Sequence, residues 1–245
     1  MKVYDEMCEY YDWIYSDELD LKFYLNEAKN ARGPVLEVAC GTGRILLKLI
    51  QSGIDATGID LSEGMLGRLR EKAKALGINA EAIRADMADF RINRKFNLII
   101  LPYRSFLHLK DNETRAKTLR NLREHLAEGG RLILHTYEPS GEEMAMQGDY
   151  HNYDYEEMTS PDGKKYRLDW FLHYEPRGRI GHYKIVMRLE DGREKVFLMD
   201  LSFVTNRELE TLLKAAGFRN IKSYCGFSYG EMNSGCKEVL WIAER

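Results

Sequence analysis

The stretch Val35-Leu36-Glu37-Val38-Ala39-Cys40-Gly41-Thr42-Gly43-Arg44 decides the fold, because it joins an apolar strand directly to a glycine turn. A helical pattern over residues 45–50 follows at once. Glycines at such a turn let the backbone approach a ligand where a side chain would clash. In an open α/β sheet, ligands bind in the crevice beyond the carboxyl end of such a strand. The stretch therefore predicts a strand, a binding turn and a helix in that order.

Strand and helix patterns alternate on the carboxyl side of this turn. The predicted strands cover 56–60, 80–85, 97–101 and 131–137, and the predicted helices cover 62–76 and 113–127. Alternation at this spacing indicates βαβ units and a doubly wound, mainly parallel sheet. Ahead of the turn, apolar and aromatic residues recur at three- and four-residue spacing, which predicts helices within residues 1–30.

Between Tyr150 and Val204 the pattern changes to an alternation of period two, which is typical of strands. Asp162-Gly163, 176–178 and Asp191-Gly192 are turn signals. Three or four antiparallel strands are therefore predicted here, as an insertion rather than an independent domain. Its aromatic residues are expected to cover a pocket or to form a dimer surface, since an apolar face must be buried.

The remaining residues are predicted to complete the main sheet. Thr205-Asn206-Arg207-Glu208 is a capping box that begins a helix ending at Gly217, and two strands follow near 221–225 and 238–243. The predicted organisation is thus a core with amino-terminal lid helices (1–149), an inserted antiparallel lid or oligomerisation subdomain (150–204), and a helix with a strand pair (205–245).

Composition excludes some classes of function. Lys and Arg number 36 against 39 Asp and Glu, which lacks the basic footprint of a general nucleic-acid binder. The four cysteines are scattered without zinc spacing, and four isolated thiols favour a reducing compartment. No apolar run approaches the roughly 20 residues that span a bilayer, and the acidic amino terminus is unlike a secretory leader. A soluble, cytoplasmic protein is expected.

Asp60 closes the second predicted strand within Gly58-Ile59-Asp60-Leu61-Ser62. A carboxylate at this place can accept both hydroxyls of a ribose that lies across the first turn. Together with the glycine turn, it indicates a cofactor that contains adenosine. These two features alone are compatible with both nicotinamide dinucleotides and S-adenosylmethionine.

Two observations favour S-adenosylmethionine. The third glycine of a dinucleotide motif is replaced by Leu46, and Glu37 lies shortly before Gly41. A carboxylate there would repel a pyrophosphate and attract the α-amino group of a methionine. In addition, Asp86 ends the third predicted strand and can accept a hydrogen bond from the adenine amine.

Five segments together resemble the class I S-adenosylmethionine-dependent methyltransferases: VLEVACGTGR (35–44), GIDLSEGML (58–66), ADMADF (85–90), FNLIIL (96–101) and LAEGGRLIL (126–134). The layout looks like the bacterial small-molecule subgroup, which includes sugar N-methyltransferases. The resemblance implies a Rossmann-like α/β fold whose doubly wound sheet is seven-stranded and mainly parallel, with an inserted antiparallel sheet. It also implies S-adenosylmethionine as cofactor and S-adenosylhomocysteine as product.

The resemblance implies cofactor contacts along the strand ends and in the amino-terminal lid: Tyr11, Tyr15, Glu37, Ala39, Gly41, Gly43, Asp60, Leu61, Asp86, Met87 and Leu101. In this pattern Asp60 holds the ribose, Asp86 accepts from the adenine amine, and the Leu101 carbonyl and Glu37 face the methionine part. The lid tyrosines would close over the sulfonium, since a cation against aromatic faces is favourable by about 0.5–2 kcal/mol.

Departures from the motifs of related enzymes narrow the class of acceptor molecule. Leu101-Pro102-Tyr103 lacks the polar residue and the second proline typical of enzymes that methylate nucleic-acid amines. It also lacks the aspartate by which metal-dependent relatives bind magnesium. The resemblance therefore implies a small-molecule acceptor, methylated on N or O by direct in-line transfer, with no metal, no nucleic acid and no membrane. A homodimer through the inserted sheet is a further expectation.

Candidate catalytic residues are Tyr103 and His108, although orientation of the reactants alone supplies much of the rate acceleration in such a reaction. His108 is expected to titrate near neutrality or to be a packed residue. Candidate substrate contacts are Arg104, His135 and Tyr137; Arg104 would clamp an acidic substrate or bridge to a helix.

Three other functions stay open at this point. A nicotinamide-dependent reductase would need the missing third glycine of the dinucleotide motif. A non-catalytic module that binds S-adenosylmethionine would have its acceptor cavity filled. A protein or RNA methyltransferase would have an open groove in place of a closed pocket.

Overall fold

The computed structural model describes residues 2–15, 18–160 and 163–245, so the predicted turn residue Asp162 lies outside the described residues. The α-helices are α1 (Lys2–Met7), α2 (Tyr11–Ile14), α3 (Leu21–Ala31), α4 (Leu46–Gln51), α5 (Glu63–Ala75), α6 (Asn112–His125), α7 (Gly141–Ala145) and α8 (Asn206–Ala215). The strands are β1 (Val35–Val38), β2 (Ala56–Asp60), β3 (Glu81–Arg84), β4 (Phe96–Leu101), β5 (Leu126–Tyr137), β6 (His151–Thr159), β7 (Lys165–Glu175), β8 (Ile180–Leu189), β9 (Glu194–Ser202), β10 (Arg219–Cys225) and β11 (Glu238–Glu244). A 3-10 helix covers Ser105–His108.

The main sheet has seven strands in the order β10-β11-β5-β4-β1-β2-β3. Strands β1 to β5 run parallel to one another, and β11 is antiparallel to both β5 and β10. The strand order reverses between β1 and β4, and such a switch point opens a crevice at the carboxyl edge of the sheet. The predicted fold class is confirmed.

Helices cover both faces of this sheet because its central strands are apolar on both sides. All four residues of β1 are buried. Leu36 and Val38 pack in a cluster with α6 and α8, whereas Val35 packs in a second cluster with α3, α4 and α5. A strand buried on both faces suits a parallel sheet in a doubly wound fold.

Two predicted helix starts have the expected caps. Ser62 accepts a hydrogen bond from the Met65 N–H at the start of α5. The capping box of Thr205 and Glu208 is formed at the start of α8. Each cap stabilises its helix by about 0.5–2 kcal/mol.

The inserted sheet has four antiparallel strands in the order β6-β7-β8-β9. Its inner face packs against the amino-terminal helices: Leu168, Ile185 and Phe197 share a buried cluster with Met7 and Ile14. The lid helices and the inserted sheet therefore form one apolar unit over the carboxyl edge of the main sheet.

Cys225 and Cys236 form a disulfide, with their Cα atoms 5.5 Å apart, so the prediction of four isolated thiols is wrong for this pair. Their residues come together because β10 and β11 are antiparallel neighbours joined by the loop that contains Cys236. Cys8 and Cys40 are free. The cytoplasmic location stays a prediction, and the disulfide removes two of the four thiols that favoured a reducing compartment.

One strand boundary and one additional helix also differ from the predictions. Strand β5 begins at Leu126, earlier than expected, because the Gly129-Gly130 pair continues the strand through a register shift against β4. Helix α7 was not expected from the sequence pattern.

In the described part of the chain, no helix combines the length and apolar character that crossing a membrane requires.

Candidate active site

A cavity of about 320 Å³ lies between the carboxyl edge of the main sheet, the lid helices and the inserted sheet. We call the part at the ends of β1, β2 and β3 the cofactor half; it is lined by Ala39, Gly41, Asp60, Leu61, Asp86 and Met87. We call the rest the acceptor half; it is lined by Tyr103, Arg104, His108, Tyr153, Trp170 and Tyr183. Tyr4, Tyr11 and Tyr15 of the lid close the cavity between the two halves.

Asp60 is held firmly at the end of β2. One carboxylate oxygen accepts from the Gly41 N–H at 2.8 Å, and the other accepts from the Ser62 N–H at 2.8 Å. Burial raises the pKa of Asp60, and the hydrogen bonds from these N–H groups counteract part of that effect. Each carboxylate oxygen can accept a further hydrogen bond, so Asp60 can bind a diol that enters the cavity.

The glycine turn has two positions with different requirements. A Cβ at Gly41 would have no atom within 4 Å, which leaves room for a ligand against the backbone. A Cβ at Gly43 would lie 2.9 Å from the Leu69 side chain of α5, so close packing requires glycine there. Ala39 has a φ of 59°, a conformation uncommon for residues other than glycine and often found at functional sites.

Asp86 and Met87 form the turn after β3. The Asp86 side chain accepts from the Ala88 N–H at 2.8 Å, and the Met87 carbonyl accepts from Asn121 of α6 at 3.3 Å. These contacts fix the turn against the sheet. Both residues therefore face the cavity with a defined backbone.

The lid is hydrogen-bonded onto the cofactor half. Asp5 of α1 accepts from Ser62 at 2.6 Å and from the Gly64 N–H at 2.9 Å. Asp12 of α2 accepts from the Thr42 hydroxyl at 2.5 Å, directly in the glycine turn. The lid is thus attached to the glycine turn and to the start of α5, beside the cavity.

The lid tyrosines present aromatic faces and neutral hydroxyls. The rings of Tyr11 and Tyr15 lie 4.8 Å apart, and Tyr15 contacts Tyr103 and Trp170 of the acceptor half at 5.4 and 5.9 Å. Burial raises the pKa of Tyr4, Tyr11 and Tyr15 above the ordinary value. All three hydroxyls therefore stay protonated at neutral pH.

His108 is a neutral imidazole rather than a group that titrates near pH 7. Burial lowers its pKa to about 4, which agrees with the expected packed residue and not with the alternative of titration near neutrality. Its Nε2 atom lies 2.7 Å from the Tyr4 hydroxyl. A neutral imidazole accepts from the protonated phenol, and this contact fastens α1 of the lid to the 3-10 helix after β4.

A family model matches the segment that contains the glycine turn. Residues 35–130 match the methyltransferase domain family. The segment that builds the cofactor half is thus similar to a methyltransferase domain. The matched residues contain the glycine turn, Asp60, Asp86 and the strand β4, which together build the cofactor half.

Similar proteins methylate nitrogen according to their names. A segment of 141 residues is 31% identical to dTDP-3-amino-3,4,6-trideoxy-alpha-D-glucopyranose N,N-dimethyltransferase of Streptomyces venezuelae, covering 51% of this chain and 57% of that protein. A glycine/sarcosine N-methyltransferase of Aphanothece halophytica is 27% identical, with 89% of this chain and 79% of that protein covered. The chain spans about half the length of the first curated relatives it matches, between 40% and 57%.

A solved structure supports the whole architecture of this chain. The CcbJ methyltransferase from Streptomyces caelestis superposes with a TM-score of 0.81 over 98% of this chain and 96% of the other. Its sequence identity is 18%, so this likeness concerns the fold. It includes the inserted sheet, because the superposition covers nearly the full chain.

The buried carboxyl group of Glu37 fits the α-amino group of S-adenosylmethionine. Glu37 is 2% exposed, and its Oε2 atom has no hydrogen-bond partner among the described residues. Burial raises the pKa of Glu37, and the Arg44 charge opposes this effect. A buried carboxylate oxygen without a partner is costly unless a ligand satisfies it, and the α-amino group of the cofactor has the required charge.

Five predicted site residues do not line the cavity. Glu37, Gly43 and Leu101 lie directly behind its cofactor half, at the ends of β1 and β4 and in the glycine turn. His135 and Tyr137 lie behind Arg104. The Tyr137 ring stacks under the Arg104 guanidinium at 3.8 Å, and His135 is hydrogen-bonded to Glu238 at 2.7 Å. Arg104 pairs with Glu238 of β11, not with a helix.

Some residues of the site were not expected from the sequence, among them Tyr4, Tyr183 and Glu238. Tyr4 and Tyr183 line the cavity, and Glu238 holds Arg104. Tyr4 stands one heptad before Tyr11, so the spacing of lid aromatics was a signal for it. Nothing in the sequence pattern singles out Glu238, whose strand partner Tyr137 is distant in the chain, or Tyr183, which is one of several aromatic residues in the inserted strands.

Proposed function

We propose that this protein is an S-adenosylmethionine-dependent methyltransferase that methylates a nitrogen atom of a small-molecule acceptor by direct in-line transfer without a metal. One observation carries the proposal: the same cavity contains the cofactor half and an acceptor half walled by aromatic side chains. A volume of about 320 Å³ lies in the range of small-molecule sites.

The cover over the acceptor half supports a small acceptor over a protein or RNA substrate. The lid helices and the inserted sheet cover the acceptor half, whereas a polymer chain would need an open groove. Unfilled space beside the cofactor half also supports an enzyme over a non-catalytic module. The names of the two relatives, both N-methyltransferases, support nitrogen over oxygen as the methylated atom.

The cofactor supplies a methyl group on a positively charged sulfur. In the proposed mechanism Asp60 binds the ribose hydroxyls, Asp86 accepts from the adenine amine, and Glu37 binds the α-amino group. Tyr11 and Tyr15 place aromatic faces beside the positive charge. The closed lid excludes water and orients the acceptor nitrogen, and orientation of this kind contributes about 7–11 kcal/mol to such reactions.

Proton transfer needs no strong base in this proposal. His108 is neutral, but its Nε2 is already engaged by Tyr4, and a pKa of about 4 makes its nitrogen a weak base. We therefore propose that His108 anchors Tyr4 and that the acceptor amine reaches the site unprotonated. Tyr103, at the boundary of the two halves, remains the other candidate that would touch the reacting nitrogen.

Methyl transfer from cofactor with a trideuterated methyl group tests the proposal. A cell extract is divided by ultrafiltration into a small-molecule fraction and a fraction of protein and RNA, and each is incubated with the enzyme. We expect the deuterated methyl group on nitrogen of a compound in the small-molecule fraction, with equal yield in the presence of a chelator. Asp60→Ala is the matched inactive control.

Other outcomes contradict particular parts of the proposal. Label in the macromolecular fraction alone would contradict the small acceptor, and loss of transfer with chelator that magnesium restores would contradict metal-free transfer. Tight binding of the cofactor without label in either fraction would indicate a binding module. Binding of NADH in place of S-adenosylmethionine would overturn the whole proposal.

A further inference from the structure

Arg104 carries the only positive charge at neutral pH among the described residues that line the cavity, and it lies in the acceptor half. The lining carboxylates, Asp60 and Asp86, both lie in the cofactor half. An unpaired guanidinium would attract anionic acceptors and would repel the positive sulfur of the cofactor. The group that pairs with Arg104 therefore sets the net charge of the acceptor half.

That group is Glu238, the first residue of β11. Its carboxylate accepts hydrogen bonds from Nη2 and Nε of Arg104 and is also 2.7 Å from Nε2 of His135. Burial acts to raise the pKa of Glu238, but the His135 hydrogen bond and the Arg104 charge outweigh burial and bring the pKa to about 2. Glu238 is therefore ionised at neutral pH and cancels the charge of Arg104.

The pair is held from several sides. Glu238 and Tyr137 are directly opposite each other in the β5–β11 ladder, and the Tyr137 ring supports the guanidinium. The Glu238 carbonyl accepts from the Gly226 N–H at 2.8 Å, next to the Cys225–Cys236 disulfide. The carboxylate thus has a fixed position, and a fixed partner holds Arg104 in one orientation.

We propose that Glu238 is a specificity-determining residue, which keeps the acceptor half electrically neutral and so admits uncharged amines while excluding acceptors that carry an anionic group. The acceptor part of this inference rests on the proposed methyltransferase function. The charge balance itself is measurable without an acceptor. S-adenosylmethionine carries a positive charge on sulfur that S-adenosylhomocysteine lacks, so the ratio of their dissociation constants reports the local field.

Calorimetric titration at low salt of both compounds tests the inference. In Glu238→Gln, Arg104 lacks its counter-charge, and we expect binding of S-adenosylmethionine relative to S-adenosylhomocysteine to weaken about five- to tenfold. The double variant Arg104→Gln/Glu238→Gln removes both charges, and the ratio should return to within about twofold of the wild type. Arg104→Gln alone should shift the ratio in the opposite direction.

A matched control separates charge in the cavity from general damage. Glu27 is buried and forms an ion pair with the partly exposed Arg131, and neither residue lines the cavity, so Glu27→Gln should leave the ratio unchanged. Inorganic sulfate provides a second probe. It should raise the melting temperature of Glu238→Gln more than that of the wild type, because the variant exposes an unpaired guanidinium.

The outcomes are distinguishable. A folded Glu238→Gln that binds S-adenosylhomocysteine and keeps the wild-type ratio would overturn the inference, as would a double variant that fails to restore it. Turnover of glycine or sarcosine by the wild type, at a kcat/KM equal to that of uncharged amines, would also contradict it. If the wild type binds neither cofactor compound, the proposed function fails instead.

Discussion

The two halves of the cavity are built from contacts of very different range. In the cofactor half, the hydrogen bond between Gly41 and Asp60 spans 19 residues. In the acceptor half, the contact of Tyr4 with His108 spans 104 residues, and that of Arg104 with Glu238 spans 134. The cofactor half therefore depends on backbone shape within one βαβ region, whereas the acceptor half depends on single side-chain contacts between distant elements.

This difference explains how one fold can keep its cofactor while its acceptor changes. Substitutions in the acceptor half alter side chains on lids and inserted strands without disturbing the central sheet. Substitutions in the cofactor half act on the turn that joins β1 to α4, and so they affect both folding and binding. Four predictions test the contrast.

The largest effect is expected for Gly43→Ala, in the backbone-defined half. The new Cβ would lie 2.9 Å from Leu69 in a residue with a φ of 84°, so overpacking and strain combine. We expect the free energy of unfolding to fall by about 2–4 kcal/mol, measured by urea denaturation. Gly41→Ala, with open space around its Cβ, should lose only about 1 kcal/mol. Equal losses would mean that the turn is not packed as described.

Asp60→Ala should come next, with an effect on binding. A buried, hydrogen-bonded carboxylate contributes about 1.5–3 kcal/mol, so affinity for S-adenosylmethionine should fall by tenfold or more in calorimetric titration. Asp89→Ala, an exposed aspartate three positions after Asp86, is the control and should bind normally. Unchanged affinity in a folded Asp60→Ala would rule out its assignment to the ribose.

His108 tests the long-range half through pH. Its pKa of about 4 in the folded protein lies below the ordinary 6.5, so the unfolded chain takes up a proton first as pH falls. The contribution of His108 to the free energy of unfolding therefore falls by about 2 kcal/mol from pH 7 to pH 5, with most of the loss below pH 6.5. His108→Gln should therefore lose less stability over that interval than the wild type. The exposed His151→Gln should behave like the wild type; parallel curves for all three proteins would contradict the burial of His108.

The smallest effect is expected in the lid. Tyr15→Leu removes an aromatic face, and affinity for S-adenosylmethionine should fall by about 0.5–1.5 kcal/mol, with a smaller change for uncharged S-adenosylhomocysteine. Tyr15→Phe keeps the ring and should bind both compounds as the wild type does. A fall of the same size for both compounds would indicate that Tyr15 packs against the cofactor without contacting its charge.

The sequence alone determined the fold class, the order of the main strands, the capped starts of α5 and α8, and the grouping of the glycine turn with Asp60 and Asp86. These features are local: periodicity, caps and strand ends follow from neighbouring residues, and parallel strands bring their carboxyl ends to one edge. The neutral state of His108, the Cys225–Cys236 disulfide and the pairing of Arg104 with Glu238 were decided only by the tertiary structure. Burial and long-range strand pairing set those contacts, and neither leaves a pattern within a short stretch of sequence.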